Sequence, residues 1–212
     1  MKDIKHELQS IIIGNGQNGS TSQLKKVHDF LRGHEKTGSK PEKPKYLKSE
    51  EEQLLISFAE KEKLFFSAEI SEDLFISEGA EQRVYRFDDH SVIKLNGSIF
   101  YEYWLDYFSS LLVHNYFFKS TLYDFLGFKI INKTLYAVVK QDFIVATETT
   151  NLDELRSFME YNQFSHIKNN DYQNTELGII FEDLHDENVL CRNGLLYFID
   201  TVFYITPNFY SK

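Results

Sequence analysis

Late in the chain, the stretch Phe181-Glu-Asp-Leu-His-Asp-Glu-Asn-Val-Leu190 places five ionisable side chains between two apolar segments, residues 178–181 and 194–199. Packing alone does not call for such a loop, and polar loops held by rigid strands are where sites are built. Asp183 and Asn188 are five residues apart, and Asp200 follows Asn188 by twelve, at the end of an apolar run. These types suit the movement of a γ-phosphoryl group. One carboxylate orients an attacking hydroxyl and accepts its proton, while a second carboxylate and an amide oxygen are hard ligands for Mg²⁺ beside a triphosphate. Taken singly, Asp183 and Asn188 would equally suit a self-satisfied turn. His185 reads as a residue that shapes the loop through hydrogen bonds, since no second His or Cys stands at metal-ligand spacing.

The spacing resembles that of protein kinases, and a further residue fits the same pattern. Ser91-Val-Ile-Lys94, 89 residues before Asp183, is similar to the kinase strand lysine. Alone, such a lysine would pass for a surface charge on a strand. Gly79 lies fifteen residues ahead of Lys94, and residues 78–84 are similar to the turn that covers the phosphates, with one glycine where three are usual. Asp183-Leu-His-Asp-Glu-Asn188 resembles the catalytic loop of aminoglycoside and choline phosphotransferases, and residues 77–204 resemble the polyvalent protein kinase domains of bacterial mobile elements and phages. The resemblance implies ATP and Mg²⁺ as cofactors, Asp183 as catalytic base, Lys94 on the ATP phosphates, Asn188 and Asp200 on the metal, and a hinge at residues 140–143, where Gln141, Asp142 and Phe143 hold the adenine. Glu102 and Asp106, one turn apart on the helix that follows Lys94, are the expected acidic partners of the lysine. Phe181 stands where the family usually has histidine, Glu182 where many kinases have an arginine that docks a phosphorylated loop, and Thr201-Val202 where Phe-Gly is usual. Twelve residues follow Asp200, so a truncated C-lobe is expected.

Elements that could position these residues follow from periodicity. Short β-rich segments at 75–76, 83–87 and 91–95 read as a three-stranded meander. Ser98 is the expected cap of a buried aromatic helix running through Glu102, Trp104 and Phe108 to Leu112. Residues 125–131 and 134–140 form a hairpin about Asn132-Lys133. Asn151 or Thr150 opens another helix. Upstream, helices are expected over 3–13 with Asp3 as cap, from Ser20-Thr21-Ser22 with Leu24, Val27, Phe30 and Leu31 as one apolar face, and over 50–66 through Leu64 and Phe65. Residues 14–19 are a glycine-rich break, and a Gly/Pro/Lys-rich linker lies near 33–48.

The 212 residues, 42% of them hydrophobic, can bury a core and are neither disordered nor low-complexity. A net charge of -9 disfavours nucleic acid. Cys191 stands alone and cannot form an internal disulfide, which favours a reducing, cytoplasmic location. Neither a signal peptide nor an 18-residue apolar run is visible. The expected fold class is α+β, a protein-kinase-like fold with a small antiparallel N-lobe sheet. A helical N-terminal region occupies 1–70 and a minimal kinase-like domain 71–212. The expected activity is ATP- and Mg²⁺-dependent phosphotransfer to a hydroxyl of a protein or small molecule. One alternative is a pseudokinase that engages a partner protein through its N-terminal helices, and another is a toxin-like enzyme that moves AMP.

Overall fold

A computed structural model describes residues 1–14, 22–34 and 47–211. Most of the expected glycine-rich break and most of the linker near 33–48 lie outside the described residues. The chain packs as two compact units, a sheet unit of residues 15–108 and 123–141 and a loop unit of residues 1–14, 109–122 and 142–212. The mixture of helices and antiparallel strands is that of an α+β protein.

In the sheet unit, β1 (Phe75–Glu78), β2 (Gln82–Arg86), β3 (Ser91–Asn96), β4 (Asp124–Ile131) and β5 (Thr134–Asp142) lie in the order β1-β2-β3-β5-β4. The meander and the hairpin are antiparallel, as read from sequence. All six residues of β3 are buried, so its sequence lacks the apolar–polar alternation of a half-exposed strand. Tyr85, Ile93, Leu95 and Val138 form a core with Phe66, Ile70 and Tyr136 packed against it. A second cluster joins Trp104 and Phe108 to Phe125 and Phe128 through edge-to-face ring contacts. Asn132 and Lys133 both take positive φ, 50° and 69°, the turn geometry whose twist matches that of the strands it joins.

Helices α2 (Gln23–His34) and α3 (Lys48–Glu62) complete this unit. α3 stops short of the expected end at Phe66. Lys63 turns left-handed at φ 56°, and residues 64–66 run beside β4, with Phe128 N–H donating to Leu64 O and Phe66 N–H to Phe128 O, both 2.8 Å. Gly127 permits that approach, because a Cβ there would meet Leu64 O at 2.3 Å. Leu64 and Phe65 are apolar because the edge of β4 covers them, and helical periodicity cannot tell the two cases apart.

The helix after β3 also begins elsewhere. α4 spans Trp104–Phe117, and Ser98 is no cap: it is fully buried at φ 58° and donates its N–H to Asn96 Oδ1 at 2.6 Å. The Trp104 N–H instead donates to Glu51 Oε2 at 2.7 Å, so a buried carboxylate from α3 serves the positive end of α4. Lys48 Nζ donates to the carbonyls of Ser98 and Tyr101. A cap supplied from 53 residues upstream leaves no local signature.

α2 buries Leu24, Val27 and Leu31 together with His28, while Phe30 stacks on Phe58 at 3.9 Å. Burial, with Lys25 beside it, pushes the His28 imidazole down to about 4. The unfolded chain titrates this ring near 6.5, so it binds the extra proton between pH 6.5 and 4 and the folded chain does not. His28 therefore contributes stability above pH 6.5 that is lost as pH falls toward 4, up to about 3 kcal/mol. Urea midpoints at pH 7 and pH 4.5 should show a smaller acid loss for His28→Leu than for the unaltered chain. Equal losses would refute this assignment.

In the loop unit, α1 (Lys2–Ile13) begins with Met1 at its cap, and Asp3 lies in its first turn, where its charge suits the helix dipole. Lys5 Nζ donates to Asn208 O at 2.8 Å and Gln9 Nε2 to Phe209 O at 2.6 Å. α5 (Leu152–Tyr161) is capped by Asn151, whose Oδ1 accepts from Asp153 N–H at 3.0 Å and Glu154 N–H at 3.4 Å. Strands β6 (Ser165–His166), β7 (Tyr172–Asn174), β8 (Ile179–Glu182) and β11 (Val202–Ile205) form an antiparallel sheet in the order β11-β8-β7-β6. β9 (Val189–Arg192) and β10 (Leu195–Phe198) form a separate hairpin. The two apolar runs that flank the polar loop in sequence thus belong to different sheets. Among the described residues, no helix is long and apolar enough to cross a membrane.

Candidate active site

The polar loop is narrower than the sequence suggested, since β8 ends at Glu182 and β9 starts at Val189. β8 delivers it from a buried position: Phe181 pairs with Phe203 of β11 on one side and Tyr172 of β7 on the other. Asp183 then turns left-handed at φ 66°, a conformation Asp and Asn tolerate better than most residues. Its N–H donates to Asp171 Oδ1 at 3.1 Å, and the next N–H, of buried Leu184, donates to Asn170 O at 3.1 Å. The segment preceding β7 therefore fixes the start of the loop. His185 O then accepts from Asn188 N–H at 3.0 Å and Val189 N–H at 2.9 Å.

Side chains tighten this arrangement. Asn188 Nδ2 donates to the Asp183 carbonyl at 2.9 Å and to Asp183 Oδ2 at 2.8 Å. With its nitrogen so engaged, the amide turns its Oδ1 away from Asp183. His185 Nδ1 accepts the Glu187 N–H at 3.3 Å, and its Nε2 lies 3.2 Å from Asp183 Oδ1 and 3.1 Å from Asn188 Nδ2. His185 shapes the loop, as its sequence context suggested. Asp200 is tied to the same residues through the backbone: Asn188 O accepts from Ile199 N–H at 2.9 Å and Asp200 N–H at 3.4 Å. Burial, followed by the charges of Asp171 and Asp183, pushes the Glu182 carboxyl above its ordinary range.

Asp183, Asn188 and Asp200 are thus brought together within the loop unit, and Asp183 is exposed. Among the described residues, no three His, Cys, Asp or Glu side chains gather as a metal-binding group. Mg²⁺ does not need one, because it is commonly held by one or two carboxylates together with substrate phosphate oxygens and water. The amide oxygen of Asn188 and the carboxylate of Asp200 are oxygen donors of the kind Mg²⁺ takes.

The remaining expected residues belong to the sheet unit, apart from Asp142 and Phe143. Lys94 sits at the centre of β3, paired with Val84, and is buried with its ammonium 5.4 Å from the centre of the Tyr123 ring. Gly79 lies in the β1–β2 turn, where its N–H donates to Gln82 O at 2.9 Å. A Cβ there would meet nothing within 4 Å, so the fold does not require glycine at this position. Glu102 is not on a helix but in the turn before α4, and its bond with the Tyr103 hydroxyl is the main reason that phenol is pushed up to about 12. Asp106 lies in the first turn of α4. Gln141 is buried near the end of β5, and the chain passes from the sheet unit to the loop unit between Gln141 and Asp142. Sequence reasoning missed Asp171, whose run Lys168-Asn-Asn-Asp171 reads only as a polar turn.

Residues 48–207, about three quarters of the chain, match the family described as the serine/threonine/tyrosine kinase found in polyvalent proteins. The matched stretch begins at the first residue of α3 and ends just beyond β11. No match was found among curated proteins or among solved structures.

Proposed function

Because the chain belongs to the serine/threonine/tyrosine kinase family found in polyvalent proteins, we propose that it is an ATP- and Mg²⁺-dependent phosphotransferase that moves the γ-phosphoryl group to a hydroxyl. The family's description favours a side-chain hydroxyl of a protein over a small molecule as acceptor. The observation that carries this reading is the set of hydrogen bonds linking Asp183, Asn188 and Asp200.

In this reading, Asp183 orients the acceptor hydroxyl and takes its proton. Asn188 keeps that carboxylate in place with its amide nitrogen, leaving its oxygen and Asp200 to hold the metal. Mg²⁺ supplies charge neutralisation on the phosphate oxygens. Lys94 pairs with phosphate oxygens, the turn at Gly79 lies over the phosphates, and the backbone of residues 140–143 receives the adenine.

The experiment is thermal denaturation with ATP, with and without Mg²⁺. Ligand at a hundredfold excess over Kd should raise stability by about 2.7 kcal/mol. Asp200→Ala should lose the Mg²⁺-dependent part and keep the rest. Folded protein that shows no shift with ATP and Mg²⁺ would overturn the proposal, and binding with no transfer to any acceptor would favour the scaffold reading.

A further inference from the structure

Thr201, the residue after Asp200, is buried, and its hydroxyl meets a histidine. Thr201 Oγ1 lies 2.6 Å from Nδ1 of His114, which is fully buried on the second half of α4. His114 Nε2 lies 2.7 Å from the carbonyl of Thr121. A carbonyl only accepts, so Nε2 carries the ring proton, Nδ1 is bare, and the threonine hydroxyl donates to it. The Thr121 hydroxyl in turn donates to Phe198 O at 2.7 Å, and Ser110 Oγ accepts the Phe203 N–H at 3.0 Å. The six residues 198–203 around Asp200 are therefore gripped before and after the carboxylate, while Asn188 O holds the middle.

Packing does not explain this choice of residues. The surroundings are aromatic, with the His114 ring 5.2 Å from that of Phe118 and Phe118 stacked on Phe198 at 4.2 Å, and a leucine at position 114 would fill such space without needing partners. A buried imidazole with hydrogen bonds on both nitrogens instead fixes direction. We infer that His114 and Thr201 are a positioning pair that holds the Asp200 carboxylate in the orientation its metal requires. The inference rests on the metal role given to Asp200 above. The pair itself touches neither metal nor substrate.

The test is a Mn²⁺ titration, followed by electron paramagnetic resonance, of the full chain saturated with a non-hydrolysable ATP analogue. Thr201→Val keeps the shape and removes the donor. It is expected to weaken Mn²⁺ about tenfold, the lower end of what loss of an outer hydrogen-bond partner does to a metal site. Thr201→Ser, which restores the donor, should bind as the unaltered chain does. Amide exchange at residues 199–201 should quicken in the valine variant alone. Folded Thr201→Val with unchanged Mn²⁺ affinity would overturn the inference while leaving the proposed function standing. An unaltered chain that binds the analogue but no Mn²⁺ would remove the metal role of Asp200 and the inference with it. Should the valine variant fail to fold, Thr201→Ala is read by the same two outcomes.

Discussion

Asp183→Asn is expected to lower the rate of phosphoryl transfer by about 10²–10⁴-fold, the contribution of a positioned general base, while ATP affinity stays unchanged. The substitution is nearly isosteric, so what it removes is basicity. The carbonyl oxygen of a new asparagine can still accept from Asn188 Nδ2, which now reaches Asp183 Oδ2 at 2.8 Å. Its amide nitrogen then faces His185 Nε2. The backbone bonds from residues 183 and 184 to Asp171 and Asn170 do not depend on the side chain. Turnover from a radiolabelled γ-phosphate assay, set beside calorimetric Kd values for ATP, separates the two effects. An unchanged rate would remove Asp183 from the chemistry.

Phe181→Ala should destabilise the chain by about 3–5 kcal/mol, the range for truncating a buried phenylalanine. The ring is 1% exposed and stacks on Phe203 at 4.2 Å, with Phe118 and Phe198 each at 5.8 Å. For a chain of this length the melting temperature should fall by roughly 10 °C. Calorimetric unfolding measures this directly, and a fall of a degree or two would show that the core collapses around the gap. The same packing explains how the site dispenses with a histidine here: β8 is anchored by aromatic area, and the bonds that fix Asp183 come from residues 170 and 171.

Local pattern revealed what is local. The β1–β2–β3 meander, the Asn132-Lys133 turn and the Asn151 cap are each governed by residues within a few positions of one another, and each is present. The nearness of Asp183, Asn188 and Asp200 could be anticipated from residue type and spacing around a short apolar hairpin. What holds them could not. Asp171 reaches Asp183 from across a strand pair, and His114 reaches Thr201 across 87 residues. The start of α4 was misplaced for the same reason, since its first N–H finds a glutamate of another helix. The end of α3 was misplaced because Leu64 and Phe65 owe their apolar character to a sheet edge.

The left-handed backbone at residue 183 restricts what that position can become. An ordinary L-residue placed there pays about 1–2 kcal/mol, whereas glycine pays nothing sterically and asparagine little. A lineage that abandoned the chemistry yet kept the fold would therefore be expected to carry Asn or Gly at this point, seldom Ala and almost never Val. Drift away from catalysis would leave a narrow and recognisable trace in the sequences of its descendants.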